Sequence, residues 1–267
     1  MAKLFWAWFT AVVRERHALT EVARQDFRSR YLGSRLGMVW AFVNPAVQIG
    51  IYWLIFAVGF RTHAIGGVPY VAWLTAGIVP WFFMAEIINA STTAITGHRY
   101  LVNKVAFRVS MLPVIKVTNA MVIHGIFLII MLAITSAFGF YPDVYDLQIL
   151  YYIAAGVTLS VGIGWITSSV NVYMRDVEQA VQILIQLLFD VTPIFWSITM
   201  IPGRWQWLLE LNPFFYVTQG YRDAVLYRQW FWNNPSQSVY FWCVAVAVFV
   251  VGGMVFHRLR ASFADML

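Results

Sequence analysis

From Val117 to Phe138, and again from Gln148 to Val170, the chain carries no Asp, Glu, Lys or Arg. Both stretches are long enough to cross a bilayer, because a helix rises ~1.5 Å per residue and roughly 20 apolar residues traverse ~30 Å of hydrocarbon. Met38–Phe60, Gln179–Met200 and Val239–Phe256 pass the same length test, and Pro69–Ile95 passes it with one interruption at Glu86. An open sheet would leave backbone N–H and C=O groups unpaired in lipid, so helix is the conformation these stretches impose. Pro45, Pro80 and Pro193 lie within or near them, where a membrane bundle tolerates kinks. Composition agrees: 61% of the 267 residues are hydrophobic and 11% are charged, against about 25% charged in a soluble domain. The sequence predicts an all-α integral membrane protein with six transmembrane helices.

Two segments do not fit a simple span. Ile201–Ser238 is rich in aromatics, yet charges recur at Arg204, Glu210, Arg222, Asp223 and Arg228. Its longest uncharged run, Leu211–Tyr221, is too short to cross and contains Asn212-Pro213. That predicts two short re-entrant or interfacial helices, broken at the Asn-Pro, between spans five and six. At the other end of the chain, Leu4–Val13 is apolar but short, and it runs into Arg14-Glu15-Arg16-His17 rather than into a small-residue cleavage site. An N-terminal amphipathic interfacial helix follows, with Phe5, Trp8, Phe9, Val12 and Val13 facing lipid and Lys3, Arg14 and Arg16 facing water. The chain thus divides into a cytoplasmic interfacial segment, 1–37, and a six-helix domain, 38–267, that includes the re-entrant region 201–238.

Positive charge orients the bundle. Seven Lys and Arg precede the first span; Arg99, Lys104, Arg108 and Lys116 lie between spans two and three, Arg175 between four and five, and Arg258 and Arg260 after the last. These fourteen oppose Arg61, Arg204, Arg222 and Arg228 on the other side, which places both termini in the cytoplasm. The net charge of +6 therefore reads as attraction to an anionic membrane surface and not to nucleic acid. One cysteine, Cys243, excludes a disulfide framework, and the scattered histidines make no metal-ligand spacing, so no metal and no catalytic centre are expected. No GxxxxGK[ST] phosphate loop occurs; if ATP drives this protein, a separate chain binds it. The hydrophobic pattern shows no internal repeat, which leans against a secondary transporter.

Arg24, Arg28, Arg30 and Arg35 sit just ahead of the first span. They serve either as a positive-inside anchor or as an anion site at headgroup level, where guanidinium forks suit phosphate oxygens. Asn171–Glu178 reads either as a solvated turn or as a contact for a partner, and His98–Arg108 has the alternation of an interfacial helix. Glu86, Asp190 and His124 fall within spans and read first as helix-packing groups.

The segment Asp26–Pro45, with its pattern RxxYLGSxLGxxWxxxxP, resembles the polysaccharide and teichoic-acid export permeases of the ABC-2 type. IYWLIFAVGF, GGVPYVAWLTAGIVPWFF, NVYMRDVEQ, TPIFW and LNPFFYVTQGYRD follow in that family's order, and the resemblance spans essentially the whole chain. YWLIFAVGF, GGVPY and GIVPWFF are most similar to the wall-teichoic-acid translocation permeases.

The resemblance implies a permease subunit that pairs with a second copy of itself and with two nucleotide-binding subunits, which hold ATP and Mg. Such a complex moves undecaprenyl-diphosphate-linked wall teichoic acid outward across the cytoplasmic membrane. The alternatives are the same machinery carrying O-antigen or capsular polysaccharide, a drug or lipid exporter of the ABC-2 type, and a membrane transporter outside that class. On the family's pattern Arg24, Arg28, Arg30 and Arg35 receive the diphosphate, and Arg99, Lys104, Arg108, Arg175, Asp176 and Glu178 meet the ATPase, with 171–178 forming a short coupling helix. Tyr52, Trp53, Phe56, Trp73, Trp81, Phe82, Phe83, Phe189, Phe195 and Trp196 are then the candidate channel-lining aromatics.

Overall fold

The computed structural model describes Glu21 and residues 37–62, 64–98 and 109–266. The expected interfacial segment therefore lies almost wholly outside the described residues. Helix α1 (Gly37–Trp53) passes directly into a π-helical stretch, Leu54–Gly59, so helical backbone covers nearly all of the first expected span. Beyond Arg61 a small hairpin pairs β1 (Ala64–Ile65) with β2 (Val68–Pro69), Ile65 opposite Val68. Its turn residues Gly66 and Gly67 have φ of 57° and 81°, a left-handed pair that glycine adopts without steric penalty.

Pro69 leads into α2 (Tyr70–Thr92), which is apolar on every face and buried on nearly all of them. A helix with no polar face must sit inside the bundle, and α2 is its central post. Pro80 withholds one N–H from the ladder but does not end the helix, as membrane helices allow. Against α2 pack α1, α3 (Leu112–Ala137), α4 (Gln148–Tyr173) and α5 (Asp176–Val191). Two shorter helices follow, α6 (Gly203–Glu210) and α7 (Pro213–Val225), then α8 (Pro235–Leu259) and a terminal turn, α9 (Phe263–Met266). Helix α7 nests between α2 and α4, and α8 lies along α4.

Among the described residues four helical runs are long and apolar enough to cross a membrane: Tyr70–Thr92, Val109–Ala137, Val144–Tyr173 and Pro235–Ser262. The expected span Gln179–Met200 is different. Helix α5 stops at Val191, after 16 residues, or roughly 24 Å. Pro193 is the reason: its ring disfavours helical backbone at the residue before it, and Thr192 is accordingly extended (φ −72°, ψ 132°). The chain to Ser197 is irregular, and a single 3-10 turn covers Ile198–Met200. The expected break at Asn212-Pro213 is present, with the Asn212 side chain accepting from Phe214 N at 3.0 Å to cap α7.

Two devices hold α8 in place. Gly162 of α4 and Gly252 of α8 let the two backbones touch: a Cβ on Gly162 would meet Phe249 N and Cα at 2.7 Å. Farther along, Trp242 Nε1 donates to Tyr151 Oη at 2.7 Å, Tyr151 and Tyr216 hydroxyls meet at 2.8 Å, Tyr216 donates to Ser238 Oγ at 2.9 Å, and Ser238 donates to the Phe231 carbonyl at 2.8 Å. An indole N–H can only donate and a carbonyl can only accept, so the direction of the whole relay is fixed from its ends. It ties α4, α7 and α8 together.

Candidate functional site

Aromatic rings join α1, α2 and α5 into one array. Tyr52 stacks on Phe195 at 5.0 Å with planes 10° apart, and it lies 5.6 Å from Phe189. Phe56 meets Tyr70 and Phe195, each at 5.6 Å, and Trp81 meets Phe189 at 5.6 Å and Phe214 at 5.3 Å. The structure splits the ten expected lining aromatics. Trp73, Trp81, Phe83 and Phe189 are buried inside the subunit and present no open face. Phe83 is moreover elsewhere, stacked 4.2 Å from the His124 ring. Tyr52, Phe56, Phe82, Phe195 and Trp196 are half-buried, and Trp53 is exposed. Trp81 and Phe189 back the array; only the second group retains accessible ring area.

The segment that follows α5 is held peptide by peptide. Thr192 Oγ1 accepts from Asn212 Nδ2 at 2.8 Å, and the Phe195 carbonyl accepts from Tyr70 Oη at 2.8 Å. Between them, the carbonyls of Pro193 and Ile194 accept from Arg222 Nη1 and Nη2 at 2.8 and 2.7 Å. Arg222 Nε donates to the Trp73 carbonyl at 3.2 Å, and its Cζ lies 3.4 Å from the Trp73 ring centroid. Gly77 makes the space: a Cβ there would overlap Nη2 and come within 2.7 Å of Cζ. Arg222 is 0% exposed, so it is no charge of an outer loop, as its place in the charge count had it. Burying a guanidinium is expensive unless every donor is matched. The helix break supplies carbonyls with no ladder partner, and the arginine satisfies them. The sequence signal was present in the TPIF and GYRD segments, but nothing in their spacing shows that they meet.

At the other end of α5 the chain turns sharply. Helix α4 ends at Tyr173, Met174 is extended, and α5 begins at Asp176. Residues 171–178 are thus the end of one helix and the start of the next, not the separate short helix that the resemblance implied. Arg175, Asp176 and Glu178 are exposed there, and the two acids sit in the first turn of α5, where the helix dipole favours them. Arg24, Arg28, Arg30, Arg35, Arg99, Lys104 and Arg108 lie outside the described residues. Glu86 is half-buried on α2, and Asp190 is exposed at the end of α5. His124 bonds the Tyr221 hydroxyl through Nε2 at 2.9 Å, an interhelical tie between α3 and α7. Among the described residues no three His, Cys, Asp or Glu side chains gather as a metal site would require.

Long apolar helices around a largely buried central helix, with short broken helices tucked among them, define an integral membrane protein. The ABC-2 type transporter family matches residues 17–226, and the chain belongs to that family. It is the membrane subunit, and the ATPase resides on a separate chain. The chain is 28% identical over 254 residues to the O-antigen export system permease protein RfbA of Klebsiella pneumoniae, covering 93% of this chain and 94% of that one. It is 26% identical over 256 residues to the protein of the same name from Myxococcus xanthus, covering 94% and 96%. The polysialic acid transport protein KpsM of Escherichia coli is 25% identical over 204 residues, covering 76% and 78%.

Proposed function

We propose that this chain is the membrane half of an exporter that carries a lipid-linked polysaccharide out of the cell, of the O-antigen or capsular kind. The observation that carries this reading is the near full-length similarity to permeases named for O-antigen and polysialic acid. Those names favour bacterial polysaccharides over the teichoic acid expected from the sequence. In this reading two copies of the chain form the path, two ATPase subunits bind ATP and Mg, and undecaprenyl diphosphate is the polymer's anchor. Helix α1 with its π-helical end, and α5, supply two further crossings to make six, with α6 and α7 re-entrant and both termini cytoplasmic. Residues 38–267 then form the transport domain, and 1–37 an interfacial segment whose Arg24, Arg28, Arg30 and Arg35 receive the diphosphate. The accessible rings of Tyr52, Trp53, Phe56, Phe82, Phe195 and Trp196 offer apolar faces over which sugars slide. Arg99, Lys104 and Arg108, with Arg175, Asp176 and Glu178, meet the ATPase.

The test is reconstitution with the ATPase subunit in liposomes holding a defined lipid-linked glycan. ATP-dependent appearance of an O-antigen or capsular glycan on the far face is the expected result. Movement of a teichoic-acid polymer alone would restore the first expectation, and movement of none of the three would remove the polysaccharide reading. In the same assay, Arg175→Glu and Asp176→Arg are expected to lower export about tenfold while ATP is still hydrolysed, because opposed charges fix register at a contact. Both side chains are exposed, where ion pairs contribute only ~0–1 kcal/mol, so membrane levels should hold. Normal export by each single variant and by the pair would exclude the contact.

A further inference from the structure

We infer that Arg222 is the fastening that makes the outer end of α5 and the helix α7 move as one body. It is a positioning residue for transport, with no contact to cargo. The inference rests on the exporter reading given above, in which α5 bears the ATPase contact at its first turn.

Four observations support it. The side chain joins three elements that are far apart in sequence: Trp73 in α2, Pro193 and Ile194 after α5, and its own helix α7. The same two parts also meet one residue earlier, where Asn212 at the start of α7 donates to Thr192 Oγ1 at 2.8 Å, which leaves the Pro193 and Ile194 peptides to Arg222. The guanidinium is 0% exposed and donates to carbonyls, so solvent and salt do not screen the contact. Finally, α5 is uninterrupted from Asp176 to Val191, and its backbone passes straight into the gripped peptides. A push at Asp176 is therefore delivered along a stiff rod to Pro193 and Ile194, and through Arg222 to α7. Without the fastening, the irregular segment from Thr192 to Ser197 would absorb the displacement. Arginine is required because its planar fork reaches two neighbouring carbonyls at once; a lysine ammonium is a single point and cannot keep both in register.

Two measurements test this on the complete complex with its ATPase subunits. In Arg222→Lys, ATP hydrolysis should continue within about twofold of the parent rate while export falls about tenfold, the loss expected of a broken coupling. Parallel loss of both activities, or loss of neither, would overturn the inference. The second measurement keeps the Arg222 contacts and compares the oxidised and reduced forms of one protein, so the lost Asn212 cap weighs equally on both. Thr192→Cys and Asn212→Cys, on a Cys243→Ala background, place two thiols where the side chains now meet. If the segment and α7 travel together, oxidising that pair leaves ATP hydrolysis and export unchanged. If oxidation stalls ATP hydrolysis and reduction restores it, the joint opens in every cycle and the inference fails. ATP hydrolysis reads the joint whatever the cargo, and the parent complex in the same liposomes reports separately whether a polysaccharide moves.

Discussion

Gly252→Leu is expected to abolish folded protein in the membrane, and Gly252→Ala to lower its stability sharply. The reason is backbone against backbone. A Cβ on Gly252 would overlap the carbonyl oxygen of Gly162 and lie 3.0 Å from its carbonyl carbon. Neither atom is the end of a flexible side chain, so the helices themselves must separate. In lipid there is little hydrophobic force to draw them back, because association rests on close packing between small residues. Over-packing typically costs about 1–3 kcal/mol, and the methyl of alanine should reach the upper part of that range here. Leucine adds three more carbons and would pull α8 from α4, breaking the relay from Trp242 to Ser238 as well. Gly253→Ala is the control: its Cβ would meet the Trp165 ring at 3.8 Å, an ordinary contact, and should be silent. Membrane levels and thermal aggregation in detergent measure the difference. Equal stability of the Gly252→Ala and Gly253→Ala proteins would refute the close packing.

Much of the architecture was legible because lipid leaves so few choices. The uncharged runs gave the helices over Val117–Phe138, Gln148–Val170 and Val239–Phe256, and the Asn-Pro gave the break ahead of α7. What sequence reasoning missed is where local hydropathy and tertiary packing part company. Gln179–Met200 is uncharged apart from Asp190 and apolar on average, so a window average cannot see the helix end that Pro193 imposes. Arg222 looked like a loop charge because charge counts assume that an arginine near the end of a span seeks water. Its real partners come from segments 28, 29 and 149 residues away, and their geometry exists only once the fold does. The aromatics pose the opposite difficulty. Ring-rich segments announce many candidates, but which of them are buried, as Trp73, Trp81, Phe83 and Phe189 are, depends on helix rotation. Helices without a polar face give no sequence cue to that rotation.

The same arginine sets up a test in which two damaging changes should partly cancel. In Gly77→Ala the added methyl falls on Arg222 Nη2, with Cζ only 2.7 Å away, so the guanidinium must leave its three carbonyls. A buried charge stripped of its partners costs about 3–5 kcal/mol, and this one has no path to water. Gly77→Ala should therefore be among the most destabilising alanine substitutions in α2. Replacing the arginine itself, as Arg222→Met, removes the charge and leaves the Pro193 and Ile194 carbonyls unpaired, at about 1–3 kcal/mol each, while the Trp73 carbonyl stays within the α2 ladder. The double variant has no charge to strand, and its flexible thioether can bend around the new methyl. It should be more stable than Gly77→Ala alone, so that the favourable interaction in a double-mutant cycle exceeds the cost of Arg222→Met by itself, at least about 2 kcal/mol. Thermal unfolding of the four detergent-solubilised proteins reads the cycle directly. Additive losses would mean that the methyl at position 77 is accommodated without disturbing the guanidinium, and that the close fit between Gly77 and Arg222 carries no energy.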